Sequence, residues 1–247
     1  MSRDKIQNTK TSNSTALKLK NIMLAYHDFQ IEKQPQVSDK ELTQLTLWQS
    51  ERLKSTHHDL YHERNYTNGL KFLFDELYSA QDFSGRDRDL ERIFPKIIKL
   101  LPKTVISTVS LLVELNLLTQ RLDRELAHAI FHQLNHTEIN ERSYCEAYIY
   151  CNNQEQRLYQ IKLTAELGDK MDKYARSSLI NFSLKITETP AEMAGLSELH
   201  AFIMRGFTAF HSMRNIQTLM NTLTQRESIV LDKIFTGQQS PFLIRKS

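Results

Sequence analysis

Residues 102–134, PKTVISTVSLLVELNLLTQRLDRELAHAIFHQL, decide the fold of this 247-residue chain. Apolar side chains recur here at the three- and four-residue spacing of one helix face: Leu111, Leu115, Leu118, Leu122, Leu126 and Ala129. A second apolar side is formed by Val109, Leu112, Val113 and Leu117. Pro102 suits the first position of a helix, where its missing N–H is not needed. We therefore predict one long central helix over residues 102–134, covered by other segments on several sides.

Helical periodicity continues on both sides of this segment. Helical patterns cover residues 15–33, 39–62, 65–78, 85–100, 138–152, 154–173, 174–186, 190–212 and 214–236, and the boundaries between the patterns at 138–186 are the least regular. The chain has only six glycines and five prolines, which is few for a sheet protein with many tight turns. The sequence thus predicts an all-α, single-domain multi-helix bundle of about eight or nine helices.

Local signals predict where these elements begin and end. Ser38-Asp-Lys-Glu41 matches a capping box at a helix start, Gly237 is placed to end the last helix, and Gly168 is expected to interrupt the helical pattern around it. Residues 1–14 are polar and are predicted to form a disordered N-terminal tail. Residues 238–247 are predicted to be a loose C-terminal tail, so the helical domain covers 15–237.

Composition narrows the classes of function. The formal net charge is +3 and both signs are interspersed, so we do not expect nucleic-acid binding. Cys145 and Cys151 face apart in one helical pattern, which predicts free thiols and a cytoplasmic protein. The most apolar run contains Glu114 and Asn116, and no stretch reaches the roughly 18 apolar residues of a membrane helix, so we predict no membrane span.

Residues 72–92, FLFDELYSAQDFSGRDRDLER, are the segment densest in aromatic and charged side chains. A candidate ligand-binding or interaction corner is formed by Asp75, Tyr78, Asp82, Phe83, Arg86, Asp87 and Asp89. The alternative is a structural helix–loop–helix corner, in which Asp87 and Asp89 favour the dipole at the start of the next helix. The aromatic side chains would then be core residues. The sequence leaves both readings open.

Two segments carry an acid and a histidine three positions apart, Glu125 with His128 and Asp59 with His62. A di-iron bundle uses Glu-x-x-His on two helices and one glutamate on each of two others. The candidate metal ligands are therefore Asp59, His62, Glu76, Glu114, Glu125 and His128. A chain with nine histidines and 29 acidic residues also produces such spacings by chance. Glu114 has an alternative role to metal binding, because a buried carboxylate needs a partner. It could form a salt bridge with Arg121, the nearest basic residue on the same face of the predicted helix.

Several motifs together resemble those of one family: Arg52-x-x-x-Thr56-x-x-Asp59-Leu60, Tyr66, FLFDELY at 72–78, DFSGRDRDL at 82–90 and FIMRGFTAF at 202–210. Over most of residues 45–236 the chain resembles a family of uncharacterised, all-helical bacterial proteins marked by Phe-Phe-Leu-x-Asp-Leu-Tyr-Gly followed by Asp-Phe-x-x-Arg-Asp. It departs from that pattern at Phe74, Glu76 and Ser79. The resemblance implies a helical fold, and it brings no activity and no catalytic residue.

The sequence contains no nucleophile elbow, glycine-rich phosphate loop or dinucleotide fingerprint. The leading hypothesis is therefore a non-enzymatic protein-interaction or regulatory module that binds an unidentified protein partner and needs no cofactor. Two alternatives stay open. One is a metal-dependent, di-iron-like helical-bundle enzyme that uses the six candidate ligands. The other is a helical bundle with an apolar cavity for an acyl chain, near residues 72–83.

Overall fold

The computed structural model describes residues 2–32, 37–77, 92–95, 98, 103–177, 180, 186, 188–193 and 197–244. The regular elements of this described part are all helical, which confirms the all-α prediction, and eight helices have seven residues or more. The helices are α1 Ser2–Asn8, α2 Ser14–Ile31, α3 Asp39–Thr56, α4 His58–Tyr61, α5 Thr67–Lys71, α6 Lys103–His128, α7 Glu141–Cys151, α8 Gln154–Ala175, α9 Glu188–Met193, α10 Ser197–His211 and α11 Ile216–Phe235. Most of the predicted helices 85–100 and 174–186 lies outside the described residues.

Two π-helices extend α-helices of this set. Phe72–Leu77 follows α5 directly, and Ala129–Gln133 continues α6. The predicted central helix is confirmed, because α6 and its π-helical end form one continuous element from Lys103 to Gln133. This element contacts α2, α3, α7 and α8.

The central helix also meets a simple length-and-composition criterion for crossing a membrane, with a mean hydropathy of 1.2 over its most apolar 18-residue window. Of that window, 39% is buried inside the protein. A core helix that packs against four others passes the same criterion. The described helices therefore give no clear membrane span.

Side-chain caps start several of these helices. The predicted capping box of α3 is confirmed: Ser38 accepts from the backbone N–H of Glu41, and the Glu41 carboxylate accepts from the backbone N–H of Ser38. A second capping box, which we did not predict, joins Asn140 and Ser143 at the start of α7. At the other end of the fold, Gly237 has φ +67° and follows α11, as predicted.

The predicted loose tails are wrong for the part of them that the structure describes. Ser2–Asn8 is the helix α1, and Ile6 within it is fully buried in a cluster with α2 and α6. At the other end, Phe242 packs with its ring centroid 5.8 Å from that of Trp48 and 5.9 Å from that of Tyr144. A single apolar anchor in a polar segment carries no periodicity, so the sequence pattern did not reveal either contact.

Gly168 does not interrupt a helix, contrary to our prediction. It lies inside α8, and a Cβ atom added there would stand 2.5 Å from Cγ of Met220 on α11. The missing side chain therefore permits the close approach of α8 and α11, which is the most extensive helix–helix contact of the described fold.

The buried side chains form several clusters, and two of them matter for the site. The first joins α3, α5, the π-helix Phe72–Leu77, α10 and the first half of α11. The second joins the end of α6, α7, the second half of α11 and the residues after it. The pocket described next lies where these two clusters meet, between α3, α6, α7, α8 and α11.

Candidate ligand pocket

A pocket of about 120 Å³ lies between these five helices. Much of its wall is apolar and includes Leu53, Phe74, Met220, Leu223, Leu231 and Ile234. The remainder is polar or charged, and α3, α6, α7, α8 and α11 each contribute at least one such side chain. An apolar wall with a few convergent polar groups is typical of small-molecule sites.

Arg52 of α3 and Glu227 of α11 form a mostly buried ion pair at this pocket, with side chains 10% and 21% exposed. Nη1 of Arg52 donates to both carboxylate oxygens, at 2.7 and 2.6 Å. His57, which is fully buried, places Nε2 2.8 Å from Oε1 of the same carboxylate. Burial opposes ionisation of Glu227, but the Arg52 charge and the bonds from both partners outweigh it and lower the pKa of Glu227 to about 2. The pair therefore stays charged at neutral pH.

Arg157 of α8 is a second buried cation at the pocket, with a side chain only 5% exposed. Its Nη2 donates to the carbonyl oxygen of Leu122 at 3.1 Å, and its Nη1 donates to Oε1 of Gln160 at 3.5 Å. Asp123 of α6 lies 3.8 Å away, outside hydrogen-bond distance, and accepts instead from Gln49 at 3.1 Å. Burial raises the pKa of Asp123, and the Arg157 charge and the Gln49 hydrogen bond partly oppose that shift.

Two tyrosines of α7 lie beside these charges. The Tyr144 hydroxyl donates to that of Tyr148 at 3.1 Å, and the two ring centroids are 4.7 Å apart. The Arg157 guanidinium stands 4.5 Å from the centroid of the Tyr148 ring, a cation–π contact. Burial raises the pKa of Tyr148 well above its ordinary value, so its phenol stays a hydrogen-bond donor at neutral pH.

The π-helix Phe72–Leu77 supplies Leu73 and Phe74 to the pocket wall. Ser50 of α3 donates to the carbonyl oxygen of Phe74 at 3.1 Å, which fixes this backbone against α3. Single π-helical turns are frequent at functional sites. The unusual backbone geometry of this segment therefore coincides with the pocket.

A family model described as a domain of unknown function, DUF8198, matches residues 28–241. The chain belongs to the DUF8198 family. All five helices that line the pocket lie inside the matched range, so the pocket is part of the family domain. No curated protein and no solved structure matches the chain.

The structure describes the side chains of five of the six candidate metal ligands of this DUF8198 chain, and these five do not form one cluster. Asp59 accepts two bonds from Arg226, at 2.7 and 2.9 Å, and these bonds lower the pKa of Asp59 to about 2. Glu114 forms a salt bridge, as the structural alternative predicted, but its partner is Lys18 at 2.8 Å, and it also accepts from the Tyr159 hydroxyl.

The remaining candidate ligands have other neighbours. Glu125 accepts from Asn153, the ring of His62 lies against that of His58, and the ring of His128 lies against that of His132. The side chain of Glu76 lies outside the described part. Among the described residues, no group of three or more His, Cys, Asp or Glu side chains could hold a metal ion.

Most of the predicted interaction corner of this family domain lies outside the described residues: Tyr78, Asp82, Phe83, Arg86, Asp87 and Asp89. Asp75 is described only as part of the backbone of the π-helix Phe72–Leu77. Its neighbours Phe72 and Phe74 are buried, as the structural reading of the corner expects. The choice between an interaction site and a structural corner stays a prediction.

Sequence reasoning missed the charged residues of the pocket. Arg52 stood in the motif that carries the family resemblance, and this was the one available signal. Arg157, Asp123 and Glu227 stood in ordinary amphipathic patterns, where a charge is usually a solvated residue. Their burial depends on how α6, α8 and α11 face one another, which the periodicity of each helix does not specify.

Proposed function

We propose that the protein is a cytoplasmic, non-enzymatic regulatory module that binds a small ligand in the pocket between α3, α6, α7, α8 and α11. The observation that carries this proposal is the pocket itself, about 120 Å³ in volume, with an apolar wall and a few buried charged groups. A dry engineered cavity of about 150 Å³ binds benzene. The volume therefore suits a molecule of roughly that size.

The hydrogen bonds among the buried charged side chains of the pocket also support a binding role. Arg52 of α3 and His57, which directly follows α3, both bond to Glu227 of α11, so the network connects these two helices. Such a network holds the walls of a site in place and aligns its remaining donors. The apolar-cavity alternative from the sequence placed its ligand near residues 72–83, and Leu73 and Phe74 of that segment line the pocket.

The regulatory part of the proposal needs a protein partner that senses the ligand. Large side chains are exposed near the turn between α7 and α8: Ile149, Tyr150 and Leu158. Both helices also line the pocket, so a ligand that stabilises their packing would stabilise this surface as well. Both cysteines of the chain are free, which suits a reducing compartment. Burial raises their thiol pKa values to about 11, so both thiols stay protonated at neutral pH.

Methionine-methyl NMR tests the pocket directly. Met220 lines it and is 2% exposed, whereas Met193 is 86% exposed and serves as an internal control. We expect benzyl alcohol, benzamide or benzoate to shift the Met220 methyl signal saturably and to leave that of Met193 unchanged. Leu223→Phe, which fills the pocket, is expected to abolish the response, and Leu243→Phe at an exposed position is expected to retain it. No saturable Met220 response to any of the three probes would overturn the proposed function.

A further inference from the structure

We propose that the ligand of this pocket is a small monocarboxylate with an apolar body, and that Arg157 binds its carboxylate. This inference rests on the proposed function and adds the chemical class of the ligand. Its basis is a difference between the two buried arginines of the pocket: Arg52 is hydrogen-bonded to a carboxylate at 2.6 Å, whereas the carboxylate nearest to Arg157 lies 3.8 Å away.

Arg157 carries more hydrogen-bonding capacity than its surroundings use. A guanidinium has five N–H donors. Its two hydrogen bonds go to the Leu122 carbonyl and to the Gln160 side chain, both neutral, and the second is long at 3.5 Å. Nε of Arg157 is buried and has no hydrogen-bond partner among the described residues. The nearest carboxylate, that of Asp123, lies 3.8 Å from Nη1 and makes no hydrogen bond to it, so an anion that bonds directly to this buried cation is favoured.

Asp123 does not supply that anion. Its nearest approach to the Arg157 guanidinium is 3.8 Å, and its hydrogen bond goes to Gln49. A ligand carboxylate can approach a guanidinium side-on and accept two parallel bonds, a geometry that Asp123 does not reach.

Arg52 differs from Arg157 in the distance to its carboxylate, although Nε of Arg52 is also buried without a partner among the described residues. It donates to both oxygens of Glu227 at 2.6 and 2.7 Å. Outside the pocket, Arg226 likewise donates two bonds to Asp59, at 2.7 and 2.9 Å. These two guanidinium groups are already neutralised by carboxylates, so the geometry assigns the ligand's charge to Arg157.

The rest of the pocket defines the remainder of the ligand. Leu53, Met220, Leu223 and Ile234 offer an apolar surface that a free phosphate or sulfate would leave uncovered. Arg157 is one cation without a hydrogen-bonded counter-ion, so it matches a ligand with one negative charge better than a dianion. The Tyr148 phenol lies under the Arg157 guanidinium and is protonated, so it can donate to the same carboxylate.

The test compares two probes of nearly equal shape, 4-fluorobenzoate and 4-fluorobenzamide, with inorganic phosphate as a third. Binding is followed by the Met220 methyl signal and by the fluorine signal of each probe. We expect wild-type protein to bind the benzoate at least tenfold more tightly than the amide, and to bind phosphate more weakly than the benzoate. Arg157→Met is expected to abolish the preference, Arg157→Lys to retain part of it, and Arg142→Met, at an exposed position of α7, to leave it unchanged.

The outcomes separate this inference from the proposed function. Equal binding of both probes, tighter binding of the amide or of phosphate, or a preference that survives in Arg157→Met would overturn the carboxylate assignment and leave the pocket as a binding site. No response of Met220 to either fluorinated probe would overturn both. The comparison of probes in the wild-type protein stands even where Arg157→Met fails to fold.

Discussion

At the scale of single residues, Glu227 is the shared partner of Arg52 and His57 at the pocket. It accepts two bonds from Arg52 and one from His57, and it connects α11 to α3. Replacing a buried ion pair by apolar groups is often neutral, but removing one partner leaves the other charge without compensation. The stability of the protein is therefore expected to be far more sensitive to Glu227 than to an exposed acid.

We predict that Glu227→Gln lowers the free energy of unfolding at pH 7. The expected loss is about 2–4 kcal/mol, somewhat below the usual cost of breaking a fully buried pair, because the side chain keeps some solvent exposure. Urea unfolding followed by circular dichroism measures it. The matched control is Glu51→Gln, whose side chain is 74% exposed beside Lys54, with an expected change within about 0.5 kcal/mol. Equal losses in the two variants would contradict the account.

The pH dependence of stability follows from the same carboxylates. The pKa values of Glu227 and Asp59 are lowered to about 2 in the folded protein, from 4.5 and 3.8. A lowered folded-state pKa stabilises the fold above the unfolded value, and this stabilisation disappears as the pH falls towards the folded value. We predict that the difference in melting temperature between wild type and Glu227→Gln closes as the pH falls from 4.5 to 2. A difference that stays constant over that range would show that the charge is not responsible.

The limits of the sequence at this scale are clearest for Arg52 and Glu227. They lie 175 positions apart, and the helix periodicity around each of them does not distinguish a buried charge from a solvated one. The metal prediction selected residues that have another role, whereas the pocket charges were missed altogether. The spacing of Asp59 and His62 fits a metal motif, but Asp59 is neutralised by Arg226, 167 positions away. A partner this distant along the chain decides the role of a charge, and local spacing does not contain it.

At the scale of elements, the contact between α8 and α11 forms part of the pocket wall and depends on Gly168. We predict that Gly168→Ala lowers the free energy of unfolding by about 1–2 kcal/mol, because overpacking against Met220 outweighs the better helix propensity of alanine. Thermal and urea unfolding measure the change. Combining it with Met220→Ala is expected to cost less than the sum of the single variants, since the smaller side chain relieves the collision. Additive costs, or a stabilising Gly168→Ala, would contradict this packing.

The segment after α11 is the second element-scale test. Phe242 packs on Trp48 and Tyr144, and its ring lies 5.4 Å from the Arg52 guanidinium carbon. We predict that Phe242→Ala lowers the free energy of unfolding by about 2 kcal/mol. Leu243→Ala, at the next position but 70% exposed, is expected to change it by less than about 0.5 kcal/mol. Similar effects of the two substitutions would mean that the segment does not pack as described.

These two elements also show why parts of the fold were mispredicted. The capping box at Ser38 was predictable because the residues that form it are neighbours in sequence. Gly168 was assigned to a break because glycine disfavours helices locally, whereas its role is to make room for a residue 52 positions later, as the contact with Met220 shows. Phe242 was assigned to a loose tail because one aromatic side chain creates no periodic pattern.

At the scale of the whole molecule, the sequence predicted the architecture and missed the site. The continuous helix Lys103–Gln133 was predictable because thirty-one residues keep one helical spacing of apolar side chains. The pocket could not be predicted from the sequence. It lies where α3, α6, α7, α8 and α11 converge and where two core clusters meet. Helix periodicity predicts which faces are buried, but the gaps between buried faces depend on how the helices are packed together.

The central claim is that this meeting point of five helices holds a small carboxylate. A crystal structure of the protein soaked with 4-bromobenzoate, with anomalous data collected at the bromine edge, tests it most directly. The account predicts one bromine position inside the pocket beside Met220 and a carboxylate within hydrogen-bond distance of the Arg157 guanidinium. Bromine bound elsewhere or nowhere, with only ordered water inside the pocket, would contradict the account.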